Sequence, residues 1–268
     1  MPALLEITNL HKSFGPIQAL RGVDLRLEIG EVLALVGDNG AGKSTLIKLV
    51  AGVHKADSGE IRLNGEPFEA RTPADARRQG IETVYQDLAL ADDLSVGANV
   101  FLGREPVRRW FGFLPAIDNR AIRRETDALL ERIKSRIPPR AKNVSRLSGG
   151  QRQAVAIARA LYWQSKVVIL DEPTAALAVM EREHVIQLAR RLAEHGLGVI
   201  YIGHNLIEIL EVADRVAVMF QGRIVHVAPV AATSQRELIK YMTGFSESEE
   251  RARGGGRTQR QGEAHGQA

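Results

Sequence analysis

The run Gly37-Asp38-Asn39-Gly40-Ala41-Gly42-Lys43-Ser44 places glycines, a lysine and a serine at the spacing G-x-x-x-x-G-K-S. Glycines let a backbone turn its N–H groups inward around phosphate oxygens, and the lysine can reach the outer phosphates of a bound nucleotide. The Ser44 hydroxyl is suited to Mg2+. Context supports this chemistry. The apolar run from Val32 to Val36 reads as a buried strand before the loop, and Leu46, Leu49 and Val50 share one face of a helix after it. Thr45 continues the loop into that helix, whose positive N-terminal end favours an anion.

A second constellation lies downstream. Val167-Val168-Ile169-Leu170 is a short apolar strand that ends on Asp171-Glu172. Ligands of open α/β sheets bind at the carboxyl ends of the strands. Asp171 there suits Mg2+, directly or through water, and Glu172 can polarise an attacking water. An acidic pair after an apolar strand is as readily structural when it stands alone. Beside a phosphate loop it completes a nucleotide hydrolase. A third group, Leu147-Ser148-Gly149-Gly150-Gln151, opens a helix with a hydroxyl and two glycine N–H groups at its positive end, which amounts to a second anion site. A plain helix cap with Ser148 as N-cap is the alternative reading of those residues.

The phosphate loop comes first, then Ser148 to Gln151, then Asp171, 23 residues after Ser148. This order resembles the ATP-binding subunits of ABC transporters, and the resemblance spans residues 4–245. It implies ATP and Mg2+ as cofactors and a role for each matching position. Residues Gly37 to Thr45 of one chain and Ser148, Gly149, Gly150 and Gln151 of another would bind one ATP. Phe14 matches the aromatic that stacks on adenine. Gln86 matches a glutamine that touches Mg2+ and the water and moves with the transporter. His204 matches the switch histidine that contacts the γ-phosphate. Without the resemblance these three are a core phenylalanine, a polar strand end and an ordinary turn residue. One position departs from the pattern: Ala178 stands where the family usually carries an aspartate in the loop that crosses the dimer interface.

Residues 93–105 and 209–216 further resemble the ATPases of bacterial monosaccharide importers of the ribose, xylose and fructose type. Only one set of motifs is present, as in the single-cassette members. That resemblance implies a head-to-tail homodimer, a transmembrane permease, a periplasmic sugar-binding protein acting indirectly, and a place on the cytoplasmic face of the inner membrane. ATP hydrolysis would power sugar import. The alternatives are the same ATPase serving another solute, or a soluble relative acting on nucleic acid.

These residues must be positioned by elements of matching period. Residues 4–36 alternate and cluster like strands, with turns at Gly15-Pro16 and Gly30-Glu31. Further strands are expected at 60–63, 80–85, 167–170 and 198–202, a hairpin at 215–227, and helices at 148–162, 181–195 and 205–213. Alternating strands and helices predict an α/β fold: a phosphate-loop core with a parallel sheet, an N-terminal antiparallel β-subdomain and an inserted helical subdomain. Residues 87–147 are charged, interrupted by prolines, and read as helical throughout, which puts the insert at about 87–160. Residues 1–245 then form one nucleotide-binding domain. Residues 246–268, rich in glycine, acids and arginine, read as a disordered tail.

Composition bounds the alternatives. The chain has 268 residues, 44% of them hydrophobic, and no cysteine, which excludes a disulfide framework and thiolate chemistry. No apolar run is long enough to span a bilayer, and the first residues do not resemble a signal peptide. The net charge of +4 is accounted for by Arg104 to Lys142, with eleven basic and five acidic residues. No aromatic interleaving marks that segment as a nucleic-acid platform, so no nucleic-acid partner is expected.

Overall fold

The computed structural model describes residues 3–84, 90–110, 113–135, 137, 143–162, 164–175 and 177–244. The first two strands, β1 (Leu5–Phe14) and β2 (Ile17–Leu27), pair antiparallel around Gly15. The chain then runs through β3 (Val32–Val36), α1 (Lys43–Val50), β4 (Ser58–Leu63) and β5 (Glu66–Pro67). Asn64 and Gly65 both take positive φ between β4 and β5, as a tight hairpin turn requires. Next come α2 (Pro73–Gln79), β6 (Ile81–Val84), α3 (Val96–Phe101), β7 (Val107–Trp110), β8 (Leu114–Ile117) and α4 (Asn119–Arg132). The remainder is α5 (Gly149–Tyr162), β9 (Val167–Asp171), α6 (Val179–Glu194), β10 (Gly198–Ile202), α7 (Leu206–Val212), β11 (Arg215–Phe220), β12 (Arg223–Pro229) and α8 (Gln235–Met242).

Two larger sheets result. An antiparallel sheet has the order β2-β1-β4-β5, and a six-stranded sheet has the order β12-β11-β3-β10-β9-β6. All neighbours in the second sheet are parallel except β11 and β12. The expected parallel core and antiparallel N-terminal sheet are both present.

The period of two divides the interior. Val32, Ala34 and Val36 of β3 face one cluster, with Val168, Leu170, Val199, Tyr201 and the apolar faces of α5 and α6. Leu33 and Leu35 face the other, with Ile169, Ile200, α1 and the antiparallel sheet. Each fully buried aliphatic side chain contributes about 1.5–3 kcal/mol, so the central strands are the firmest part of the molecule. Both sheets therefore lock β3, the strand that delivers the phosphate loop. Its start is fixed as well: Asp214 Oδ2 accepts from the Val32 N–H at 2.8 Å, and buried Glu31 pairs with Arg215 at 3.0 Å.

The structure departs from the sequence reading at the β7–β8 pair and at helices α2 and α8, of which α8 was not expected at all. Residues 107–110 and 114–117 lie in the stretch read as helical, yet they pair as β7 and β8, with Val107 opposite Ile117 and Trp110 opposite Leu114. Pro106 and Pro115 bar a helix there, and adjacent Arg108-Arg109 hide the period of two. Helix α2 was not anticipated. Thr72 caps it, accepting from the Asp75 N–H at 3.2 Å, with Pro73 in the first turn and Gly80 in the left-handed conformation at its end. The seven residues carry too few apolar positions to show a helical period.

Candidate active site

Beyond β3, the loop threads between the ends of β2 and β11, and this passage demands glycine. At Gly37 a Cβ would lie 2.3 Å from the Met219 carbonyl oxygen. At Gly42, with φ +110, it would lie 2.8 Å from the Ala19 oxygen and 2.9 Å from Met219 Cε. The glycines are thus required by packing as well as by phosphate approach. Gly42 is also the N-cap of α1 and brings no side-chain cap, which leaves the first N–H groups of α1 for an anion.

Lys43 Nζ donates to the Gly37 carbonyl at 2.6 Å and to the Asp38 carbonyl at 3.0 Å, so its ammonium is held over the loop. Burial lowers its pKa, while Glu172, Asp38 and Asp171 act in the opposite sense. Asp171 ends β9. Burial raises its carboxyl pKa, Glu172 raises it further, and Lys43 and Lys48 pull it down.

Glu172 has φ +47, an unusual value for a residue with a Cβ. Such a conformation costs roughly 1–2 kcal/mol. Its N–H donates to the Ile202 carbonyl at 3.0 Å, so the turn is tied to β10. The kink takes the Glu172 side chain out of line with the strand and into the same cleft as Asp171. Strain of this kind accumulates at functional positions. On the neighbouring strand, His204 follows β10 with its side chain 72% exposed, and its Nδ1 lies 3.9 Å from Glu172 Oε2.

The loop and the two acids line one cavity of about 380 Å³, with Asn39, Gly40, Gly42, Lys43, Ser44, Thr45, Asp171 and Glu172 in its wall; His204 does not line it and borders a smaller one beside Glu172. The phosphate loop and both acids, far apart in sequence, therefore share one wall. Ile17, Gln18, Ala19, Arg21, Ile202, Gln221 and Gly222 complete it. Sequence reasoning missed Ile17, Gln18, Arg21, Gln221 and Gly222. The clue present was Gln221-Gly222 as a turn, which gave no hint that the turn folds back to the loop through the Gly222 N–H to the Ala41 carbonyl, 2.8 Å.

A family model described as ABC transporter matches residues 20–175. The chain belongs to the ABC transporter family. This cassette is an ATPase that binds ATP. It is similar to the xylose/arabinose import ATP-binding protein of Sulfolobus acidocaldarius, at 47% identity over 92% of this chain and 96% of that one. The fructose import ATP-binding protein of Rhizobium meliloti is 42% identical over 91% of this chain and 95% of its own. A ribose import ATP-binding protein of Rubrobacter xylanophilus is 45% identical over 93% of this chain, but the cassette spans only 49% of that relative's length. In three dimensions it resembles an ABC transporter cassette solved in its ADP conformation, with a TM-score of 0.75 and 26% identity over 94% of this chain and 99% of that one. A dimeric cassette in a post-hydrolysis state, bound to ADP and Pi, aligns with a TM-score of 0.69 at 26% identity over 84% and 98% of the two chains.

The remaining expected residues of the cassette fall elsewhere. Phe14 ends β1, is 43% exposed, packs edge-on against His54 with ring centroids 5.3 Å apart, and has Lys12 Nζ 5.5 Å from its ring centroid. Its strand partner Ile17 lines the cavity and Phe14 does not. Ser148 and Gln151 form a reciprocal cap at the start of α5: the Ser148 N–H donates to Gln151 Oε1 at 3.1 Å, and the Gln151 N–H to Ser148 Oγ at 3.4 Å. Ser148, Gly150 and Gln151 line a separate cavity of about 530 Å³ with Met180, His184 and Arg191, so one chain alone does not bring them to its own phosphate loop. Ala178 is the N-cap of α6 and makes no side-chain cap. Gln86 and residues 246–268 lie outside the described residues. Among the described residues, no helix is long and apolar enough to cross a membrane.

Proposed function

We propose that this cassette hydrolyses ATP to power import of a monosaccharide through a partner permease, working as a head-to-tail homodimer at the cytoplasmic face of the membrane. The observation that carries the hydrolytic part is the single cavity walled by the phosphate loop, Lys43, Asp171 and Glu172. The sugar assignment rests on the import functions of the xylose/arabinose and fructose relatives that match nearly end to end.

In this reading the loop N–H groups and the N-terminus of α1 take the phosphates, and Lys43 turns from the Gly37 and Asp38 carbonyls to the β- and γ-oxygens. Glu172 holds and polarises the water in line with the γ-phosphate, and His204 contacts that phosphate beside it. Mg2+ fits Ser44 and Asp171, which share the cavity wall, and Asp171 with Glu172 concentrates negative charge that a divalent cation offsets. Mg2+ commonly binds through one or two protein carboxylates together with substrate phosphates. When bound, the ion would neutralise charge on the β- and γ-oxygens. Gln86 is assigned to the same ion and to coupling with the permease.

Separation of Ser148–Gln151 from the phosphate loop within one chain favours an active site completed by a second copy. ATP then acts as the adhesive, because its charge is satisfied on both sides only when the surfaces close. Hydrolysis weakens the contact and the dimer reopens.

The test is reconstitution in vesicles with a candidate permease and sugar-binding protein. Monosaccharide-stimulated ATP hydrolysis with sugar uptake is the expected result. Stimulation by a different solute would leave the ATPase and replace the sugar, whereas co-isolation with RNA or DNA in place of a permease would support the nucleic-acid alternative.

A further inference from the structure

Behind the catalytic pair, one buried carboxylate joins the acid-bearing loop to the switch-bearing strand. Glu208, on α7, is 4% exposed. Its Oε1 accepts from Thr174 Oγ1 at 2.7 Å and from the Tyr201 hydroxyl. Its Oε2 faces Arg182 Nε of α6 at 3.7 Å. These partners sit beside the working residues in sequence. Thr174 is two residues after Glu172, Tyr201 is three before His204, and Arg182 is four after Ala178. Glu208 itself lies about one helical turn beyond His204. A polar cavity of about 60 Å³ is lined by Glu172 and His204 together with Thr174, Arg182 and Glu208.

A buried carboxylate is costly to leave unpaired, and its position is therefore fixed by the groups that satisfy it. Tyr201 is a permanent donor here: burial first, and then the bond to Glu208, push its phenol far above the ordinary value. One oxygen atom thus ties the turn that carries Glu172 to the strand that leads to His204, while the other faces the cation at the start of α6.

We propose that Glu208 is a positioning residue for ATP hydrolysis, holding Glu172 and His204 in register through Thr174, Tyr201 and Arg182. The inference rests on reading Glu172 and His204 as the hydrolytic pair. A purely structural clamp would set the yield and melting temperature of the folded protein and leave kcat per folded site alone. A positioning residue sets kcat while ATP binding, which depends on the phosphate loop, is kept.

The experiment measures hydrolysis, binding of a fluorescent ATP analogue and thermal melting on the full chain. The variants are Glu208→Ala, Glu208→Gln, Tyr201→Phe and Thr174→Val, with Glu172→Gln as control. Glu208→Ala is expected to lose at least tenfold in kcat, with KM and analogue affinity within twofold of wild type. Tyr201→Phe and Thr174→Val lose less, and neither adds to the loss in Glu208→Ala, because they act through the same oxygen. Glu208→Gln keeps a carbonyl acceptor and recovers most of the loss. Wild-type kcat in folded Glu208→Ala overturns the proposal. So does a loss of analogue affinity equal to the loss of kcat. If Glu208→Ala does not fold, the near-isosteric Tyr201→Phe and Thr174→Val decide, and wild-type kcat in both overturns it. Retained turnover in Glu172→Gln would instead overturn the reading of the pair. Lost turnover there, beside unchanged Glu208 variants, overturns this inference alone.

Discussion

Glu172 Oε2 lies 3.9 Å from His204 Nδ1, and the two side chains reach that approach from the ends of adjacent parallel strands, β9 and β10. The register that pairs Asp171 with Ile202 sets the distance, because Glu172 and His204 each follow closely on that pair. The left-handed backbone at Glu172 then turns its carboxylate toward the cleft.

Glu172→Gln keeps the size of the side chain and removes the charge that polarises water. Turnover is expected to fall at least about a hundredfold, with ATP binding retained. Loss of a negative charge beside the γ-phosphate also relieves repulsion in the closed site. The variant should therefore run as a dimer on size exclusion with ATP and as a monomer without it. Adding Ser148→Arg places a bulky charge on the opposing anion site and should abolish that dimer. A monomer at saturating ATP and Mg2+, with the permease present as well as absent, would count against the shared site.

Lys43→Ala removes the ammonium that the Gly37 and Asp38 carbonyls hold over the loop. Hydrolysis should drop by more than about a hundredfold, since a fixed cation aimed at developing phosphate charge is lost. ATP binding should weaken at the same time. Near-normal turnover in the purified variant would refute the assignment of the loop.

Asp171 provides a pH-dependent test of stability. Burial, and then Glu172, raise its carboxyl pKa above 3.8, so the folded chain holds this proton more tightly than the unfolded chain. Stability linked to the group is greatest below 3.8, falls as pH rises through the folded pKa, and stays low above it. Without Mg2+, Asp171→Asn should consequently melt above wild type at neutral pH, and the gap should narrow toward pH 4. Melts in a chelator across that range check the sign. Hydrolysis in Mg2+ should be lost in the same variant.

Ala178 caps α6 without a side-chain acceptor, although its backbone is extended, with φ −67 and ψ 159, as an N-cap requires. Ala178→Asp should add the missing acceptor and favour the positive end of the helix. The gain is about 1 kcal/mol, seen as a rise of roughly 2–4 °C in Tm. The basal ATPase rate of the dimer should change too, because this loop is assigned to the interface. An unchanged Tm would show that the first N–H groups of α6 are already satisfied.

The phosphate loop, the acidic pair and the Ser148-Gly149-Gly150-Gln151 run were legible in the sequence because each is contiguous. Its chemistry depends on neighbours within eight residues and on one strand or helix whose apolar period is plain. The parallel core followed from the same local patterns, since β3, β9 and β10 are unbroken apolar runs. Tertiary structure alone decided what closes around those motifs. Arg21 and Gly222 meet through the Arg21 N–H to Gly222 carbonyl bond of 2.8 Å, a contact between sheets that no local pattern encodes. Phe14 and Ile17 are register partners, and only the fold showed that Ile17 is the one lining the cavity. The β7–β8 pairing was hidden because its strands show no buried apolar period: Val107, Leu114 and Ile117 are all exposed. By sequence Glu208 is only one of two acids in the helix expected at 205–213. It is buried because Thr174, Tyr201 and Arg182 converge on it from three other segments, and that convergence exists only once the strands have paired.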